Sequence, residues 1–118
     1  SNNDNYVVCH QLTSLHHVQC PKIIIECKNY ASEIANPEID QLLGRFSNQR
    51  GHFGILICRN IFNTQLMIQR CKDVLHQQQG YLIVLDDKDI RELLQFRTSN
   101  EQERIDGFMN EKFDELIM

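Results

Sequence analysis

With 118 residues, 42% of them apolar and 24% charged, the chain suits one domain with a modest core. No apolar run approaches the ~20 residues that a membrane-spanning helix needs, which excludes a helical bilayer span. A net charge of −4 does not announce a nucleic-acid binder, but the charge is uneven: residues 22–72 hold seven Lys/Arg against four Asp/Glu, and residues 86–118 hold five against ten. That asymmetry fits a local phosphate-facing patch in the middle of the chain, and it fits ordinary surface helices equally well.

The chain opens on SNNDNY, which is polar and unlike a signal peptide. It carries no initiator Met, as expected of a processed or N-terminally truncated piece of a larger protein. NYVVCHQ (5–11) is a candidate strand, and Pro21 ends the segment that follows it. IIIECK (23–28) is a second strand, strongly β-branched at its start. The triplet Asn36-Pro37-Glu38 starts a helix: Asn36 can cap, Pro37 fits the first helical position, and Glu38 meets the positive helix end. Ile39, Leu42, Leu43 and Phe46 mark its apolar face, and SNQRGHFG (47–54) breaks it.

FGILIC (53–58) is a short continuous apolar run, the pattern of a strand covered on both faces. Residues 64–79 form a helix with Leu66, Met67, Cys71, Val74 and Leu75 inward and Gly80 as its stop. YLIVL (81–85) is another buried strand, and DDKDIRELLQF begins a helix rich in acids at its first turn. A last amphipathic helix presents Ile105, Phe108, Met109, Phe113, Leu116 and Ile117 at helical spacing. The order β-β-α-β-α-β-α-α predicts one α/β domain over 1–118 with a central mixed sheet and helices on both faces.

Two opposite charges run up the end of the second strand. Glu26 and Lys28 are two residues apart and therefore share a face. They lie where a strand passes into its first helix connection, the edge at which α/β sheets collect their sites. A carboxylate can hold Mg²⁺, which keeps several waters and a phosphate oxygen. A neighbouring ammonium can orient water or stabilise the charge that grows on phosphorus. The backbone carbonyl of Cys27, between them, is a further candidate ligand. The plain alternative is a solvated strand end with a surface ion pair worth roughly 0–1 kcal/mol.

The layout ECKNY, then NPEIDQLLGRF, then RGHFGILICR resembles the PD-(D/E)xK, or restriction-endonuclease-like, nuclease superfamily, and especially bacterial restriction-endonuclease-like proteins. The resemblance covers residues 5–85. It implies a restriction-endonuclease-like three-layer core with a central mixed sheet. It also implies an Mg²⁺- or Mn²⁺-dependent endonuclease acting on DNA in restriction, defence or repair. Glu26 would then be a metal ligand, Lys28 the catalytic lysine, and Gln41 the helix-borne polar residue near the site; helical periodicity does not choose between Gln41 and its neighbour Asp40. The superfamily places an Asp on the strand before Glu-x-Lys, and the acid before Glu26 in this chain is Asp4. Either Asp4 serves, or that Asp lies upstream of residue 1, or the metal site is lost. In the last case the domain binds DNA or a protein partner without cutting.

Arg45, Arg50 and Arg59 are candidate contacts to DNA phosphates, since a guanidinium pairs with phosphate bidentately. Surface pairing of these arginines and Arg70 with Glu38, Asp40 and Asp73 is the competing expectation. Cys9, His10, His16, His17, Cys20 and Cys27 form a Cys/His cluster, but their spacings match no familiar zinc pairing. The five cysteines are odd in number, and Cys27, Cys58 and Cys71 sit in apolar surroundings, as expected of reduced thiols in a cytoplasmic protein. The apolar stripe of the last helix suits a core, a homodimer face or a contact with other domains of a parent protein.

Overall fold

The structure is a computed structural model and describes residues 23–28 and 36–118. Three strands, β1 (Ile23–Lys28), β2 (Phe53–Cys58) and β3 (Tyr81–Leu85), form a sheet in the order β1-β2-β3. Both pairings are parallel, with Ile23 opposite Phe53, Lys28 opposite Cys58, and Phe53 opposite Tyr81. Parallel neighbours need a crossover. Helix α1 (Asn36–Leu43) lies between β1 and β2, and α2 (Thr64–His76) between β2 and β3. Helices α3 (Asp87–Thr98) and α4 (Gln102–Ile117) complete the chain.

Among the described residues the sheet is parallel throughout, not the mixed sheet expected. The antiparallel partner expected at 5–11 lies outside the described residues.

Side chains alternate across the sheet. The face bearing Ile24, Glu26, Lys28, Gly54, Leu56 and Leu82 is turned to α1: a Cβ added at Gly54 would stand 3.0 Å from the Phe46 ring and 3.2 Å from Leu42. Helix α2 packs beside α1, and Ile39 and Leu43 share a groove with Arg70 and Val74. The opposite face, with Phe53 and Tyr81, receives α4. Phe113 stacks obliquely on Phe53 at 5.7 Å between ring centroids and edge-on to Tyr81 at 6.3 Å. Phe53, Phe113, Leu42, Leu56 and Leu82 are the largest fully buried side chains.

One inward assignment is corrected: Leu66 in the first turn of α2 is 40% exposed. Ile117, at the end of the apolar stripe of α4, is 52% exposed. The stop of α2 is also corrected. The helix ends at His76, and Gln78 adopts the left-handed conformation with φ 58°. The Gln79 N–H donates to the Val74 carbonyl and the Gln78 N–H to the Leu75 carbonyl, the paired bonds of a Schellman cap. Gly80 serves the next step instead. Its φ is 141°, and a Cβ there would lie 2.3 Å from the His52 carbonyl oxygen. That carbonyl accepts the Tyr81 N–H at 2.8 Å, fixing the start of β3. Helix α3 opens with a reciprocal cap: Asp86 accepts the Asp89 N–H at 2.9 Å, and Asp89 accepts the Asp86 N–H at 3.1 Å.

Candidate active site

The site is assembled where α1 lies against β1. Leu42 and Phe46, four residues apart, seat the helix on Gly54, which leaves room for close approach. The neighbouring row, Gln41 and Arg45, then runs alongside Glu26 and Lys28. The turn after α1 keeps helical direction for a few residues, since the Gly44 N–H donates to the Asp40 carbonyl and the Arg45 N–H to the Leu42 carbonyl. Arg45 therefore stays on the side that Gln41 occupies.

Glu26 is the one charged residue buried among the described residues, with 7% of its side chain exposed. Its Oε1 receives the Arg45 Nη1 at 2.6 Å. Its Oε2 lies 3.8 Å from the Lys28 ammonium, close enough for charge attraction but too far for a hydrogen bond, and has no hydrogen-bond partner among the described residues. Lys28 Nζ donates instead to Gln41 Oε1 at 3.1 Å. Glu26, Lys28 and Gln41 are thus brought together; Gln41 and its neighbour Asp40 are both exposed, and it is Gln41 whose side chain accepts from Lys28.

A buried carboxylate oxygen without a donor is rare, because burying charge is costly unless it is paired. Such an oxygen suits a hard cation. Cys27 points its thiol to the opposite, exposed face, so its backbone carbonyl is the group available to the site. Among the described residues no three His, Cys, Asp or Glu side chains cluster as a metal cage. The donor set fits Mg²⁺ or Mn²⁺ held through one carboxylate, with water and phosphate taking other positions, as Mg²⁺ commonly binds. Asp4 lies outside the described residues, as do Cys9, His10, His16, His17 and Cys20 of the Cys/His cluster.

Cys58, the register partner of Lys28, is a buried neighbour whose Sγ approaches the Asn60 and Leu85 carbonyls at 3.6 and 3.7 Å. Burial, then the Asp86 charge, pushes its thiol above the ordinary value, so it remains neutral beside the charged pair.

The three arginines separate. Arg45 enters the site and pairs with Glu26 rather than with Glu38 or Asp40. Arg50 lies before the start of β2 and Arg59 just past its end, so the ~20 Å length of a six-residue strand parts them. Arg59 is exposed and stands 3.7 Å from Asp87. Sequence reasoning put Arg45 on the phosphate side and missed its contact with Glu26. The signal available was its spacing of four from Gln41.

Residues 10–94 match a family model described as restriction endonuclease, of the Mrr catalytic-domain type. Comparison with curated proteins finds no match, and neither does comparison with solved structures. None of the described helices is long and apolar enough to cross a membrane.

Proposed function

Because the chain belongs to the restriction endonuclease family, we propose that it is an Mg²⁺- or Mn²⁺-dependent nuclease domain that hydrolyses DNA phosphodiester bonds in restriction, defence or repair. The observation that carries this reading is the meeting of Glu26, Lys28 and Gln41, with Glu26 Oε2 buried and lacking a hydrogen-bond donor among the described residues. Glu26 and the Cys27 carbonyl would hold the ion, and Asp4 is the second carboxylate this sequence offers. When bound, the ion polarises the phosphoryl oxygens and lowers the pKa of water.

The chain's own side chains do the rest. Gln41 accepts from Lys28 and so fixes the ammonium beside Glu26. A positioned ammonium is complementary to the charge that builds on the phosphoryl oxygens and needs little reorganisation to stabilise it. In the protein without metal or DNA, Arg45 holds Glu26 from the other side. The test is conversion of supercoiled plasmid by the full-length protein in Mg²⁺ or Mn²⁺. Lys28→Ala is expected to lose about 10²–10³-fold in rate, the usual cost of one preorganised donor. Equal rates in the two proteins would end the role of Lys28.

A second reading, a nuclease-like domain that binds DNA without cutting, is favoured by one feature: Arg45 already neutralises Glu26 without a metal. Calorimetric titration with Mg²⁺ separates the two. Heat of binding that disappears in Glu26→Gln speaks against the second reading, and absence of binding in a protein that still shifts DNA supports it.

A further inference from the structure

We propose that Arg45 is an exchangeable counter-ion. It holds Glu26 in the resting protein, competes there with the divalent ion, and passes to a DNA phosphate when substrate binds. The inference rests on the reading of Glu26 as a metal ligand and extends it to how metal and DNA load together.

Three observations carry it. The first is the contact itself. Arg45 Nη1 stands 2.6 Å from Oε1 of a carboxylate that is only 7% exposed, so a guanidinium charge occupies one of the two oxygens a cation would use. The second is asymmetry of burial. Arg45 is 50% exposed while Glu26 is sealed, so the arginine is the partner that can leave without opening the core. It sits beyond the last residue of α1, in a turn, on a long side chain whose release needs only rotamer changes. The third is that Lys28 does not replace it. Lys28 Nζ is engaged with Gln41 Oε1 and lies 3.8 Å from Oε2, beyond hydrogen-bond reach.

The exchange follows from the charges. Without metal, a buried carboxylate must keep a cation close. With a divalent ion present, a guanidinium on the same carboxylate is a like charge at short range and raises the cost of loading the metal. A DNA phosphate offers the guanidinium a bidentate partner of equal charge in more accessible surroundings. Drawing Arg45 away frees Oε1, so DNA favours metal binding, and by reciprocity metal favours DNA binding by the same factor. A purely structural arginine would stabilise the fold and leave metal affinity where it was.

The test uses Mn²⁺ alone, titrated calorimetrically into the full-length protein without DNA, in wild type, Arg45→Gln, Arg45→Lys and Glu26→Gln. Removing the competitor is expected to tighten Mn²⁺ binding about five- to tenfold in Arg45→Gln, within the usual range of site-to-site coupling. Arg45→Lys, which keeps the charge and the fold but loses the fork, is expected to fall between. Mn²⁺ affinity that is unchanged or weaker in both Arg45 variants, while Glu26→Gln still abolishes binding, overturns the exchange and leaves the metal site standing. Mn²⁺ binding that survives Glu26→Gln overturns the metal site itself, and the exchange with it. Should Arg45→Gln fail to fold, the Arg45→Lys titration decides alone.

Discussion

The two edges of the described sheet are built for different purposes. At β3 every residue from Tyr81 to Leu85 is buried and apolar. At β1 the one buried residue is Glu26, while Ile25 is 57% exposed and Cys27 is exposed. The strands share one parallel register, so pairing does not distinguish them. What differs is the layer above each. α2 and α4 close over β3 with Met67, Cys71, Val74, Met109, Phe113 and Leu116, whereas α1 and the turn after it meet β1 through Gln41 and Arg45. One edge spends its burial on transfer free energy. The other gives up part of that gain to hold a charge out of water, the arrangement the proposed metal ligand would need.

The largest effects should therefore divide cleanly. Phe113→Ala removes the ring shared by Phe53 and Tyr81 and is expected to cost about 3–5 kcal/mol in denaturant unfolding. Lys28→Ala is expected to cost a comparable free energy in plasmid cleavage while the unfolding midpoint stays within about 0.5 kcal/mol of wild type, as substitutions away from core mechanisms do. A large loss of stability in Lys28→Ala would mean that the β1 edge is also structural, and the contrast would fail.

Much of this division can be read from the residues alone, and the rest cannot for physical reasons. Period-2 alternation puts Glu26 and Lys28 on one face, and the Asn36-Pro37-Glu38 start fixes where α1 begins. The continuous apolar runs of β2 and β3 announce strands covered on both sides. Helical periodicity could not choose between Gln41 and Asp40, because adjacent residues on a short helix differ by about 100° and the rotation is set by Leu42 and Phe46 landing on Gly54. The partner of Arg45 follows from the same rotation: Arg45 stands four residues beyond Gln41, in a turn that keeps helical direction. Gly80 looked like a helix stop by type, yet Gln78 takes the left-handed position and Gly80 answers a tertiary contact with His52 that local sequence does not encode.

Gly80 gives the next test of the apolar edge. A methyl group there meets the His52 carbonyl oxygen at 2.3 Å, against backbone that cannot rotate away, at a φ that L residues disfavour. Gly80→Ala is expected to cost about 2–4 kcal/mol, combining strain with loss of the Tyr81 N–H bond. The same midpoint as wild type would show that β3 can shift its start without harm.

Alkali probes the same edge more gently. Cys71 is buried on α2, and burial, with Glu115 adding, pushes its thiol up from 9.0 to about 12. The folded protein keeps the thiol protonated where the unfolded chain ionises. The contribution to stability is therefore complete below pH 9 and is lost as pH rises from 9 towards 12. One unit above the unfolded value, the loss is about 1 kcal/mol. Chemical unfolding at successive pH values should show this decline in wild type and a shallower one in Cys71→Ala. Parallel curves would mean that water reaches Cys71.

The smallest expected effect is a gain. Gln78 holds φ 58° at the end of α2, a conformation that costs a residue with a Cβ but not glycine. Gln78→Gly keeps both Schellman hydrogen bonds, which are backbone bonds, and removes that strain. Glycine also loses more entropy on folding, so the net gain is expected to be at most about 1 kcal/mol. The substitution lies before β3, on the far side of the sheet from Glu26 and Lys28. If the two edges are energetically separate, thermal stability rises and plasmid cleavage does not change. A change in cleavage without a change in stability would show that the turn before β3 communicates with the β1–α1 seam, and the division between a stabilising edge and a reactive edge would have to be redrawn around α2.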